Sequence, residues 1–132
     1  SPLGENDLRN IAQLIMNRVV ERAQEEQELK LEVTPTLVQV VTKEGSSNAA
    51  QFGARPMRRA GQRFFEDAVS DAIVRGFLER GDDAVVDLKV DRETDRYHVV
   101  EVRRSRDSKG MEVMIEKVTG GIGTSSLGNP AE

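Results

Sequence analysis

The sequence predicts an α+β domain in which three helices pack with a small, mainly antiparallel sheet, and three observations point to it. Apolar residues recur at threes and fours over 7–27 and again over 56–75, the period of a helix with one buried face. Beyond Gly81 the period changes to two, as in strands. The polar run Asp91-Arg92-Glu93-Thr94-Asp95-Arg96 separates two such stretches and folds them into a hairpin.

A chain of 132 residues suits one domain around a single modest core. With four Phe, one Tyr and no Trp, that core must be mostly aliphatic. The net charge of −4 argues against general attraction to nucleic acid. No apolar run approaches the roughly 20 residues that span a bilayer, so no membrane partner is expected. Ser1 leads almost at once into a polar helix start, which predicts a soluble intracellular domain without a secretory leader. The absence of cysteine excludes disulfides and thiol catalysis, and a single histidine, His98, removes most zinc chemistry. No metal site is expected.

The first helix is expected over 7–27, with Asn6 and Asp7 offering a cap and a first-turn acid. Leu8, Ile11, Ala12, Ile15, Val19 and Ala23 form its stripe, and Leu14, Met16 and Val20 widen it. That width fits either deep burial or a surface reserved for a neighbour. Leu29, Leu31 and Val33 alternate with charges, as in a short half-buried strand. Thr34-Pro35 then caps a helix expected over 35–44 with Leu37, Val38 and Val41 inward, ended by Gly45.

The third helix is expected over 56–75, with Met57, Ala60, Gly61, Phe64, Ala68, Ala72 and Ile73 spaced by threes and fours and Gly76 as its terminator. Gly61 within it reads either as a close approach or as a tolerated defect. Arg58, Arg59 and Arg63 precede Glu66, Asp67 and Asp71, an order opposed to the helix dipole. Either an external partner or internal salt bridges would offset this. Strands are expected over 84–90 and 97–103, with His98 in a surface or cross-strand role, and a further strand over 111–118. The Gly- and Ser-rich end is expected to be disordered.

One stretch carries the candidate chemistry. In Phe52-Gly53-Ala54-Arg55-Pro56, Gly53 permits a turn, Pro56 suits the first helical position, and Arg55 is left where the helix begins. A guanidinium there adds to the positive end of the macrodipole and favours an anion such as a terminal phosphate; the plain alternative is an arginine facing solvent. Hydrolysing ATP also needs a phosphate-cradling loop and a Mg²⁺ ligand, and no Gly-x-x-x-x-Gly-Lys-Ser/Thr loop is present. The chain by itself is therefore not expected to be an enzyme.

Gly53-Ala54-Arg55-Pro56, followed by Met57-Arg58-Arg59-Ala60 and Phe65-Glu66-Asp67, resembles the second-sensor motif in the small, C-terminal subdomain of the last AAA+ module of Clp-type unfoldases. The likeness to the ClpC branch starts at Pro2-Leu3, runs through Asp7-Leu8-Arg9-Asn10-Ile11 and reaches about Lys89. The family's Gly-Tyr-Asp-Pro-like loop is replaced here by Gly45-Ser46-Ser47-Asn48-Ala49-Ala50-Gln51-Phe52. The tail Gly120-Gly121-Ile122-Gly123-Thr124 resembles those of plastid and cyanobacterial ClpC-type proteins.

The resemblance implies an AAA+ small (lid) subdomain over 1–104, a stretch over 105–118 free to add a strand, and a disordered tail over 119–132. It implies that Arg55 approaches the terminal phosphate of ATP, whose Mg²⁺ is held by a large subdomain absent from this chain. Gly53, Ala54 and Pro56 would set the motif's geometry, and Arg58 and Arg59 would assist. Implied partners are the large AAA+ subdomains of the same and neighbouring subunits in a homo-hexameric ATPase, a Clp protease and substrate polypeptides; the tail implies the plastid stroma. Two rival readings are a stand-alone adaptor that binds another protein, and nucleic-acid binding through Arg55, Arg58, Arg59 and Arg63.

Overall fold

The computed structural model describes residues 4–46 and 55–117. Helix α1 (Glu5–Gln27) leads into strand β1 (Lys30–Val33) and helix α2 (Pro35–Ser46). A long helical rod follows in three segments: α3 (Arg55–Gly61), a π-helical turn (Gln62–Glu66) and α4 (Asp67–Val74). Strands β2 (Asp83–Leu88), β3 (Tyr97–Arg104) and β4 (Gly110–Glu116) complete a four-stranded sheet of order β1-β2-β3-β4. β1 and β2 are parallel, and the other two pairings are antiparallel. The domain is α+β with a mainly antiparallel sheet, as expected from the change of period.

α1 begins two residues earlier than the apolar pattern implied. Gly4 rather than Asn6 caps it, because Asp7 reaches back one turn to accept the Gly4 N–H at 3.2 Å. Ala12, Met16, Val19 and Ala23 are buried, whereas Leu14 is 56% exposed, so the extra apolar width is only partly used inside the domain. The helix stops at Glu28, which takes φ 57°. Arg80 holds that end by donating to the Glu28 carboxylate at 2.9 Å and to the Glu26 carbonyl.

α2 does not end at Gly45. Thr34 caps its start by accepting the Leu37 N–H, and the helix runs through Gly45 to Ser46. A Cβ on Gly45 would lie 2.6 Å from both the Cα and the Sδ of Met57, so this glycine marks where α2 and α3 touch backbone to backbone. Gly61 is likewise a close approach, with a Cβ there meeting Ile15 Cγ2 of α1 at 2.9 Å. Gly45→Ala is expected to lower stability by about 1–3 kcal/mol through overpacking, although alanine is the better helix former. Gly61→Ala should cost less, since a side-chain methyl can yield where a backbone cannot. Denaturant midpoints of the two variants check the ranking.

The rod buries Met57, Ala60, Gly61, Phe64, Phe65, Ala68, Val69 and Ala72. Two series in that stripe, 57-61-65-69 and 60-64-68-72, advance by four residues. On a helix of 3.6 residues per turn such a series drifts by about 40° per step. The wider π turn, closed by the Asp67 N–H on the Gln62 carbonyl, takes up that drift and keeps both phenylalanines inward. The rod ends as expected at Gly76 (φ 77°), where the N–H groups of Gly76 and Phe77 return to the carbonyls of Ile73 and Ala72.

One face of the sheet, with Leu31, Ala84, Val86, Leu88, Val100, Val102 and Ile115, joins the helices in a single core. β2 stops at Leu88 rather than Val90, which is exposed in a 3-10 turn (Val90–Arg92). Thr94 ties the following turn by accepting from the Arg96 and Tyr97 N–H groups. On the outer face Glu101 is buried beneath Arg103, which grips it at 3.1 and 2.7 Å. The stretch expected to supply a further strand holds β4, paired along β3 from Tyr97↔Glu116 to Arg103↔Gly110. The tail beyond Lys117 lies outside the described residues.

Candidate functional site

The first turns of the rod divide cleanly into two faces. Met57, Ala60 and Gly61 are inside, locking α3 against α1 and α2, while Arg55, Arg58, Arg59 and Gln62 fall at helical spacing on the opposite side and are exposed. Among the described residues no carboxylate pairs with Arg55, Arg58 or Arg59. Three guanidinium groups without a carboxylate partner among the described residues thus crowd the positive end of a helix, an arrangement that favours an anion from outside. Pro56 is the second residue of the helix rather than the first; its missing N–H is still one of the donors that a helix start leaves unpaired. Gly53 and Ala54 lie outside the described residues.

Internal salt bridges, the alternative left open by the sequence, occupy the other half of the rod. Glu66 pairs with Arg22 of α1 at 2.9 Å, and Asp71 with Arg75 at 3.0 Å. Arg63 is committed as well, donating to the Glu116 carbonyl at 2.6 Å with its guanidinium 5.3 Å from the Phe64 ring centre. The four arginines grouped by the sequence therefore separate into one that fastens β4 to the rod and three that face outward.

The far end of the rod is clamped to the β3–β4 turn. Arg104 lies over the Phe77 ring at 4.3 Å, donates to the Phe77 carbonyl at 2.7 Å, and pairs with both carboxylate oxygens of Asp107. The Arg104 hydrogen bond lowers the Asp107 carboxyl from 3.8 to about 2. A depressed carboxylate stabilises the fold fully above its unfolded value and ceases to do so as pH falls through its folded value. The turn should therefore keep its protection at pH 4 and lose it near about pH 2; a carbon-13 titration of Asp107 with a midpoint close to 4 would contradict this.

His98 takes the cross-strand role rather than the surface one. Its side chain is 11% exposed, edge-on to Phe64 with ring centres 5.2 Å apart, on the core side of β3 opposite Ile115. Nδ1 is buried without a hydrogen bond, 3.6 Å from Glu93 Oε1. Among the described residues no group of His, Asp or Glu side chains could hold a metal, and no helix is long and apolar enough to cross a membrane. Sequence reasoning missed the π turn and the Arg104 clamp. The four-residue spacing of the stripe was the available signal for the first; nothing in the linear order pointed to the second.

Comparison with known proteins adds to this geometry. Residues 3–86 match the family described as the C-terminal, D2-small domain, of ClpB protein. The chain is 37% identical over 86 residues to an ATP-dependent Clp protease ATP-binding subunit ClpA homolog of Pyropia yezoensis, covering 65% of this chain and 10% of that protein. It is 33% identical over 87 residues to the negative regulator of genetic competence ClpC/MecB of Bacillus subtilis (strain 168), covering 66% and 10%. Over 117 residues, 89% of this chain and 10% of the other, it is 28% identical to the chloroplastic chaperone protein ClpC2 of Arabidopsis thaliana. The chain spans about a tenth of the length of these curated relatives.

Proposed function

The chain belongs to the family of C-terminal small subdomains of Clp ATPases, and from that premise we propose that it is the lid of the second AAA+ module of a ClpC-like unfoldase, with Arg55 as the residue that senses nucleotide. The observation that carries the reading is the state of Arg55: exposed, without a carboxylate among the described residues, on a helix whose opposite face is locked into the core. A cation so placed can neutralise a terminal phosphate or the charge that develops during phosphoryl transfer. The residues present fit one phosphate contact. They do not fit the Mg²⁺, whose ligands would come from the large subdomain. ATP bound by that subdomain supplies the reacting phosphoryl group; this chain contributes charge and position.

The same reading gives the domain a mechanical role. A rigid rod that meets nucleotide at one end and is clamped to the sheet at the other moves as a body with the whole domain. In a homo-hexameric parent, that motion would reach the large subdomain of the neighbouring subunit and drive substrate polypeptide toward a Clp protease. Location in the plastid stroma is supported by the resemblance to a chloroplastic relative. An ATP analogue with a photoreactive group on its terminal phosphate, added to the full-length parent, tests the placement. Cross-links within the first two turns of α3 are expected; cross-links confined to the large subdomain would contradict it.

A further inference from the structure

Among the described residues no strand pairs with the outer edge of β1, and a groove runs beside that edge. Val20, Glu21, Gln24 and Glu25 of α1 make one wall, Leu29, Lys30 and Leu31 the other, around a volume of about 360 Å³. The N–H groups of Lys30 and Thr34 point to β2, bonded to the carbonyls of Asp82 and Val86. Because hydrogen-bonding direction alternates along a strand, Leu31 and Val33 turn their own N–H and C=O groups away from β2, along the groove side. An apolar floor next to unpaired backbone groups is the arrangement that accepts an extended peptide as an added strand.

Charge narrows the occupant. Glu21 and Glu25 line the groove, exposed and without an ion-pair partner among the described residues, whereas the nearby Glu28 and Glu66 are already taken by Arg80 and Arg22. Residues 118–132 contain no lysine or arginine, so that stretch lacks the matching charge. Two copies paired edge to edge through β1 would bring the same glutamates face to face. We propose that this groove docks an extended segment of a separate polypeptide, with small apolar side chains alternating with lysine or arginine, as a fifth strand beside β1.

The test uses the full chain and a fluorescent heptapeptide of alternating lysine and valine. Saturable binding is expected, with amide shifts concentrated at Leu31 and Val33 and weakening of at least about tenfold in the exposed-site variant Glu21→Lys/Glu25→Lys. A peptide N-methylated at alternate amides should bind no better than a scrambled-charge control. Unchanged affinity in the double variant, full binding of the methylated peptide, or no binding by about 1 mM would overturn the proposal. So would concentration-dependent shifts at Leu31 without peptide, which would assign the groove to a second copy. A rise in affinity on removing 118–132 would assign it to the chain's own end.

Discussion

Phe64→Ala is expected to cost about 3–5 kcal/mol, the usual range for emptying a fully buried aromatic site. The ring is 0% exposed and sits in the π turn, where it meets the imidazole of His98 on one side and the guanidinium of Arg63 on another. Collapse into the space is hindered on both sides. The rod cannot move inward without disturbing the Gly61 approach to α1, and β3 is held in register by two neighbours. Against a total stability of about 5–15 kcal/mol, the loss would take a large share of the margin. A fall in the denaturant midpoint without a change in slope is expected. A loss below about 1 kcal/mol would mean that the rod and sheet do not meet through this ring.

What was legible in the sequence followed from period and punctuation. The alternation after Gly81, the cap at Thr34 and the terminator at Gly76 depend on neighbours within one turn, so the local pattern sufficed. Gly45 misled because the same residue serves as a helix terminator and as a site of close packing, and only Met57, twelve positions away, decides between them. His98 left a surface and a cross-strand role open, and the sequence could not choose between them for a related reason. Its strand alternates as a half-buried strand should, but the rod that covers that face is distant in sequence. In the candidate site, the place of Arg55 at a helix start was readable, whereas the separation of Arg63 from Arg55, Arg58 and Arg59 needed the position of β4. The apolar width of α1 signalled surplus surface without saying that Val20 lines a groove beside β1.

Arg55→Ala in the full-length parent is expected to lower ATP turnover by about a hundredfold or more. Removing one well-placed donor from a developing negative charge costs on the order of 10²–10³ in rate, and an arginine directed at a transferring phosphoryl group can be worth more. The domain itself should not suffer. Arg55 is exposed and contacts no described carboxylate, so the stability change should stay within about 0.5 kcal/mol. Its sign should favour the variant, because one of three like charges leaves the positive end of a helix. Arg59→Ala separates a specific contact from general loss of positive charge, since it removes the same charge one turn further along the same face. The decisive measurement is steady-state ATP turnover of the assembled parent carrying Arg55→Ala, beside the parent carrying Arg59→Ala and the unfolding midpoint of this domain with each change. The account predicts a collapse of turnover for Arg55→Ala, a much smaller effect for Arg59→Ala and unchanged midpoints; equal turnover in the two variants, or near-normal turnover without Arg55, would contradict it.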